Sequence, residues 1–345
     1  MSNNMKPLLL SAPLALALLL AASPGQAEVQ LDGSFDGALS VNDLGDQTQA
    51  RADYDVTIGI GGSDQLDGGG QVIWRLEQGI TNYTDNATAV FGGKEAWIGY
   101  TGETGTLRLG KMKSPLYDLL DARYADTGAK FLLAEYAPGQ NVYPGSAIRY
   151  DSPEFSGLTV FALYDLDQGD GSHYSYDLGM QFAKAGFFVD GAFQQRKGID
   201  GSDDDAVGNA SEFDGQTWFI AGGYDFGNGL GVNVGYKSMA HTPQGGAEIE
   251  QELWFAQGSY ASGKHSAYLT YMQLGDQGDL DESGAQAMAA RYAYGLSKQT
   301  IAYVEGRYVW NDENASYGPT DDAYDYVGAP GEDTSRLIAG LKTEF

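Results

Sequence analysis

The stretch EVQLDGSFDGALSV, residues 28–41, sets Val29, Leu31, Phe35, Leu39 and Val41 at odd positions and Gln30, Asp32, Ser34, Asp36 and Ser40 at even ones. Successive residues of a strand point to opposite faces, so this stretch reads as a strand with one apolar and one wet face. The period recurs outward from it. Tyr54, Val56, Ile58 and Ile60 oppose Asp53, Asp55 and Thr57, and Val72, Trp74 and Leu76 oppose Gln71, Arg75 and Glu77. Near the far end, Leu337, Ala339, Leu341 and Phe345 oppose Arg336, Lys342 and Glu344.

A soluble sandwich alternates in the same way, with its polar face in water. Two further features favour a transmembrane barrel. Aromatic residues (Tyr164, Tyr224, Tyr236, Trp310, Phe345) mark strand ends on the apolar face. Short turns (63–69, 102–105, 226–229, 261–263) alternate with longer acidic loops (81–91, 197–214, 275–283, 311–334), the asymmetry of the two rims of an outer-membrane barrel. Segments between turn signals number about sixteen, an even count as bacterial barrels require.

The amino-terminal region carries Lys6, an apolar run from Leu8 to Ala22 broken by Pro13, and the small-residue pattern Gly25-Gln26-Ala27. This reads as a secretory leader over 1–27, leaving 28–345 as the barrel. No later run is long and apolar enough for a membrane-spanning helix. Forty-seven acidic against twenty basic residues give a net charge of −27, which excludes nucleic acid as a partner. With no cysteine, disulfides and thiolate metal sites are unavailable.

From Lys113 to Pro144 no alternation is sustained, and Leu119 to Tyr124 has helical character. A connection of that length without strands suggests a functional role.

The segments 57–64, 68–70 and 75–79, then Ala96-Trp97-Ile98-Gly99-Tyr100 through Gly105 to Lys111, resemble the general trimeric porins of Gram-negative outer membranes. Ser114 to Asp118 looks like the entry to their constriction loop, and Ala147 to Gly157 like the strand after it. The terminal Phe345 looks like the aromatic residue that serves as their assembly signal.

The resemblance implies an all-β fold: a transmembrane antiparallel barrel of about sixteen strands, usually a homotrimer, with an inward-folded third external loop at 113–144. It implies an outer-membrane location among lipid and lipopolysaccharide, and passive diffusion of small hydrophilic solutes and ions without a cofactor. Asp118, Asp121, Asp126 and Glu135 would line the acidic side of an eyelet. Arg75, Lys94, Arg108, Lys111, Lys113 and Arg149 would line the basic side. Thr57 stands where relatives commonly carry Arg, so the basic side is thinner and the channel is expected to prefer cations.

Other chemistry finds little support. His173, His241 and His265 are scattered, and His265 and Ser266, being adjacent, point to opposite faces. No nucleophile elbow or phosphate loop occurs, which argues against an enzyme. The acids at 200–205 and 321–325 could hold divalent cations or simply be solvated. Asp85, in 81–91, could latch a neighbouring subunit. A substrate-selective channel and a secreted sandwich adhesin are the remaining alternatives.

Overall fold

The computed structural model describes residues 28–82, 91–136, 140–166, 173–199, 213–319 and 328–345. The leader, Asp85 and the acids at 200–205 and 321–325 lie outside the described residues.

Sixteen antiparallel strands among the described residues close into one barrel, in which each strand pairs with its sequence neighbours and the last with the first. The first eight are β1 (Glu28–Asp43), β2 (Thr48–Gln65), β3 (Gln71–Thr81), β4 (Glu95–Gly102), β5 (Gly105–Lys111), β6 (Ala147–Asp151), β7 (Leu158–Asp165) and β8 (Tyr174–Lys184). The others are β9 (Phe187–Ile199), β10 (Phe213–Asp225), β11 (Leu230–Pro243), β12 (Ile249–Ser262), β13 (His265–Leu274), β14 (Ala285–Gly295), β15 (Thr300–Asn311) and β16 (Thr334–Glu344). The strand count and antiparallel order agree with the alternation pattern. The alternation pattern delimits strands over 51–62 and 229–239, so it starts β2 three residues late and stops β11 four short, where the strand ends carry little periodic signal.

The ladder of β16 on β1 runs to the last residue. The Phe345 amide donates to the Gly33 carbonyl and the Gly33 amide to the Phe345 carbonyl, both at 3.0 Å. The Phe345 ring lies over Gly33, where an added Cβ would come within 2.8 Å of it. A side chain at position 33 would therefore displace the aromatic ring that finishes the ladder.

The apolar face of every strand points outward. Leu39, Val234, Val304 and Leu337 are half or more exposed on it. The inner face is largely polar around β1 to β6, with Asp32, Arg75, Glu77, Glu95, Arg108 and Arg149 on it, and mixed over β7 to β9, where Leu163 and Ala192 join Asp177 and Asp190. Across β10 to β15 it differs. There Phe219, Met239, Leu253, Phe255, Met272 and Val309 are buried on the inner face.

Val304 lies mid-strand on the outer face, between Tyr292 and Ala339. A charge there would meet hydrocarbon, so Val304→Arg should destabilise the folded barrel by ~2–4 kcal/mol. Equilibrium unfolding from phospholipid vesicles checks this; a cost indistinguishable from zero would mean that this face does not meet lipid.

Candidate functional site

Between β5 and β6 the ladder gives way to helix. Ser114 caps α1 (Pro115–Tyr124), its Oγ accepting from the Tyr117 amide at 3.1 Å, with Pro115 in the first turn. Asp118 in the first turn and Arg123 in the last complement the helix dipole. Leu116, Leu120 and Tyr124, spaced by four, form one buried stripe with Leu119 beside it. A five-residue π-helical turn, Phe131–Glu135, follows and buries Phe131, Leu132 and Leu133. These side chains pack on the apolar inner residues of β10 to β15, which explains why that part of the wall is not wet.

Polar contacts tie the segment to strands around much of the barrel. Arg149 on β6 donates from Nη1 to Asp118 at 2.5 Å and to the Lys113 carbonyl at 2.8 Å. Arg123 pairs with Asp190 on β9 at 2.5 Å. Lys237 on β11, fully buried, donates to the carbonyls of Leu133 at 2.9 Å and Tyr136 at 2.7 Å. Tyr136 donates to Gln251 on β12. Asp126 accepts from Lys342 on β16 at 2.7 Å and meets Arg291 on β14 at 3.4 Å.

Two charged clusters face this segment. In the first, Arg75 bridges Asp32 at 2.8 Å, Glu77 at 2.5 Å and Glu95 at 3.4 Å, while Arg108 pairs with Asp151. Lys94 donates to Thr57 at 3.2 Å, its chain crossing Gly79, where any Cβ would strike it. The ammonium of Lys94 thus lies beside Thr57 of β2.

In the second cluster, Arg291 and Arg307 share Glu305, each at 2.7 Å, and Arg336 holds Asp53 at 2.8 Å.

The residues singled out from sequence are divided among these contacts. Asp118, Asp121, Lys113 and Arg149 come together, Lys113 and Asp121 at 2.6 Å. Asp126 belongs instead to the second cluster. Lys111 does not join Arg108: it lies opposite Ala96, on the outer face of Leu107 and Leu109, because it is three positions, an odd step, beyond Arg108. The Glu135 side chain lies outside the described residues.

Sequence reasoning passed over Lys237, Arg291 and Arg307. Arg291 and Arg307 each fall in phase with inward residues, so alternation could have marked them. Lys237 could be placed by alternation too, but not its partners, which are backbone carbonyls 104 and 101 residues away.

Burial alone would raise the Asp121 carboxyl, but the Lys113 ammonium holds it below its ordinary value. Asp121 in turn outweighs burial and keeps Lys113 above its own. Lys342 and Arg291 likewise hold Asp126 low against its burial. Fixed charges of both signs on a wet wall can create a transverse field for passing ions. Among the described residues no group of three or more histidine or acidic side chains could hold a metal ion.

The family model described as Gram-negative porin matches residues 14–314. The chain is 27% identical over 340 residues to the major outer membrane protein P.IB of Neisseria gonorrhoeae, covering 87% of this chain and 94% of that one. It is 32% identical over 206 residues to the P.IB protein of Neisseria meningitidis serogroup A, covering 54% of this chain and 60% of that one. Among solved structures, an anion-selective porin from Comamonas acidovorans superposes with a TM-score of 0.76 at 19% identity, covering 93% of this chain and all of that one.

Two consequences can be measured. Replacing Lys237 by Met leaves two buried carbonyls without their ammonium donor, so amide exchange over 131–136 should quicken about tenfold or more while the strands keep their protection. The Lys113–Asp121 pair, with its carboxyl lowered and its amine raised, contributes fully between the ordinary carboxylate pKa of ~3.9 and the ordinary lysine pKa of ~10.4, and on the acid side is lost as pH falls through the lowered value. Wild-type conductance should therefore show no Asp121 step between pH 7 and about 4.5, whereas Lys113→Met, leaving a buried carboxyl without its nearest cation, should introduce one.

Proposed function

The chain belongs to the Gram-negative porin family, and from that premise we propose a passive, water-filled outer-membrane channel narrowed by the segment 113–144 as its inward-folded third loop. The observation that carries this reading is the span of the segment's contacts: Asp118 on Arg149 of β6 near one end and Asp126 on Lys342 of β16 further along. With the apolar half of the loop against β10 to β15, solutes pass between its acidic side and the wall from β16 through β1 to β6. Asp118, Asp121 and Asp126 then line one side of the eyelet, with Glu135 further along the loop. Arg75, Lys94 and Arg108 line the other, while Arg149 and Lys113, bonded to Asp118 and Asp121, complete the basic side where the loop meets the wall. Lys111, facing outward, takes no part.

The channel prefers cations. Some arginines of the wall are offset by adjacent carboxylates, Arg75 by Asp32 and Glu77 and Arg108 by Asp151, and the others are partly offset, Arg291 and Arg307 sharing Glu305 and Arg51 and Arg336 sharing Asp53. The sign of the focused potential then follows the rest of a chain with a net charge of −27. Export through the periplasm by a cleaved leader, Phe345 as assembly signal and a homotrimeric assembly complete the reading, each consistent with the family.

Planar-bilayer recording under a KCl gradient tests it. Pores with a cation-signed reversal potential are expected, and Asp126→Asn, which releases Lys342 and Arg291, should shift that potential toward the anion side. Absence of pores sinks the channel reading; an anion-signed wild-type potential sinks the selectivity alone.

A further inference from the structure

On the outer face, at the rim of short turns, a groove of about 360 Å³ lies between β11, β12 and β13, lined by Phe226, Leu230, Val232, Gly258, Tyr260 and Leu269. Its floor exists because Gly258 has no side chain. Val232 and Leu269 flank it in register, and a Cβ added at Gly258 would meet nothing within 4 Å.

Four residues along β12 toward the rim, Ser262 pairs with His265, which pairs in turn with Tyr294 of β14. At ~3.4 Å per residue this row is ~13 Å from the glycine.

The row is basic in an otherwise acidic chain. His265 Nδ1 is hydrogen-bonded to the Tyr292 hydroxyl at 2.7 Å, which leaves Nε2 free of that contact, and its ring centre is 5.1 Å from that of Tyr294. Lys264 places Nζ 5.7 Å from the Tyr294 ring centre. Lys298 is in the adjoining turn, joined to Lys264 through the Gly295 amide, which donates to the Lys264 carbonyl at 2.8 Å. Lys264, His265 and Lys298 are all exposed. Aromatic rings at headgroup depth, lysines beside them and an apolar furrow below match the parts of a phospholipid in their order from the membrane surface inward.

We propose that this face holds one anionic phospholipid of the inner leaflet, its phosphate on Lys264 and His265 and an acyl chain in the furrow over Gly258. The inference rests on the outer-membrane placement, in which short turns face the periplasm. Lipopolysaccharide, confined to the opposite leaflet, is not the occupant. The groups involved are outside the lumen, so lipid binding and conduction are separable.

The test is native mass spectrometry of the full-length barrel after exchange into detergent containing either phosphatidylglycerol or phosphatidylcholine. The folded state of each sample is checked by the heat-dependent gel shift, and conductance is recorded in parallel. The wild type should retain phosphatidylglycerol over phosphatidylcholine. Retention should weaken about tenfold in Lys264→Gln/His265→Gln through the headgroup, and comparably in Gly258→Leu through the filled furrow, with conductance unchanged in both. Equal retention of the two lipids by the wild type, or undiminished retention by both variants, overturns the proposal. So does a change of oligomeric state in Gly258→Leu, which would assign the furrow to a contact between subunits. Failure of the wild type to conduct counts against the channel and leaves the lipid result to be scored on the folded barrel.

Discussion

Hydrocarbon offers the peptide backbone no hydrogen-bonding partner, and the rest of this structure follows from that. A spanning sheet must pair every strand on both sides, so it must close. Here closure comes down to the two reciprocal bonds between Gly33 and Phe345 and the register of β1 on β16 that continues from them. Once the sheet is closed, the period of two leaves a side chain only two destinations, lipid or interior. Arginines and carboxylates in mid-strand take the interior, since a base at the bilayer midplane costs ~2–4 kcal/mol.

The same constraint shapes the connection from β5 to β6. β6 has only five residues and β5 seven, so the wall is lowest where the chain leaves it. A span outside the ladder must satisfy its own backbone. It does so first with paired bonds, Met112 to Pro144 at 3.3 Å and Ser114 to Val142 at 3.0 Å, then with the capped helix and the π-helical turn. The last carbonyls of that turn go to Lys237, where a side chain does the work of a missing amide. Such a lysine is tolerated in a buried place because both its partners are fixed acceptors.

What could be read in advance followed this division. Strand number, order and facing are local properties with a period of two, and alternation delimits β3, β8 and β14 as 70–80, 173–184 and 284–295, within a residue of their observed ends. Lys111 was misplaced because the resemblance grouped it with Arg108 when parity alone would have separated them. The contacts of the segment were not legible, since they are long-range. Asp126 meets Lys342 at a separation of 216 residues. Nor does alternation report that the inner faces of β10 to β15 are apolar: residues such as Ala287, Ala289 and Leu253 look like ordinary sheet positions until Leu116 and Phe131 are found against them.

The apolar inner patch also bears on where charge matters. A conduit lined evenly around its circumference would average its wall charges; here part of the circumference is covered by the segment and contributes no field to passing ions. Charges on the remaining arc then count for more, and most sit in pairs, so each arginine acts largely as half of a dipole. Among the described bases of this arc Lys94 differs, since its partner is the neutral Thr57 hydroxyl. Its charge is not offset by a bonded carboxylate, and it faces the side of the segment that carries Asp121, which itself spends its charge on Lys113. Among the described residues of this arc, the Lys94 chain crosses Gly79 to reach Thr57, so its charge stands apart from the carboxylates that hold the arginines.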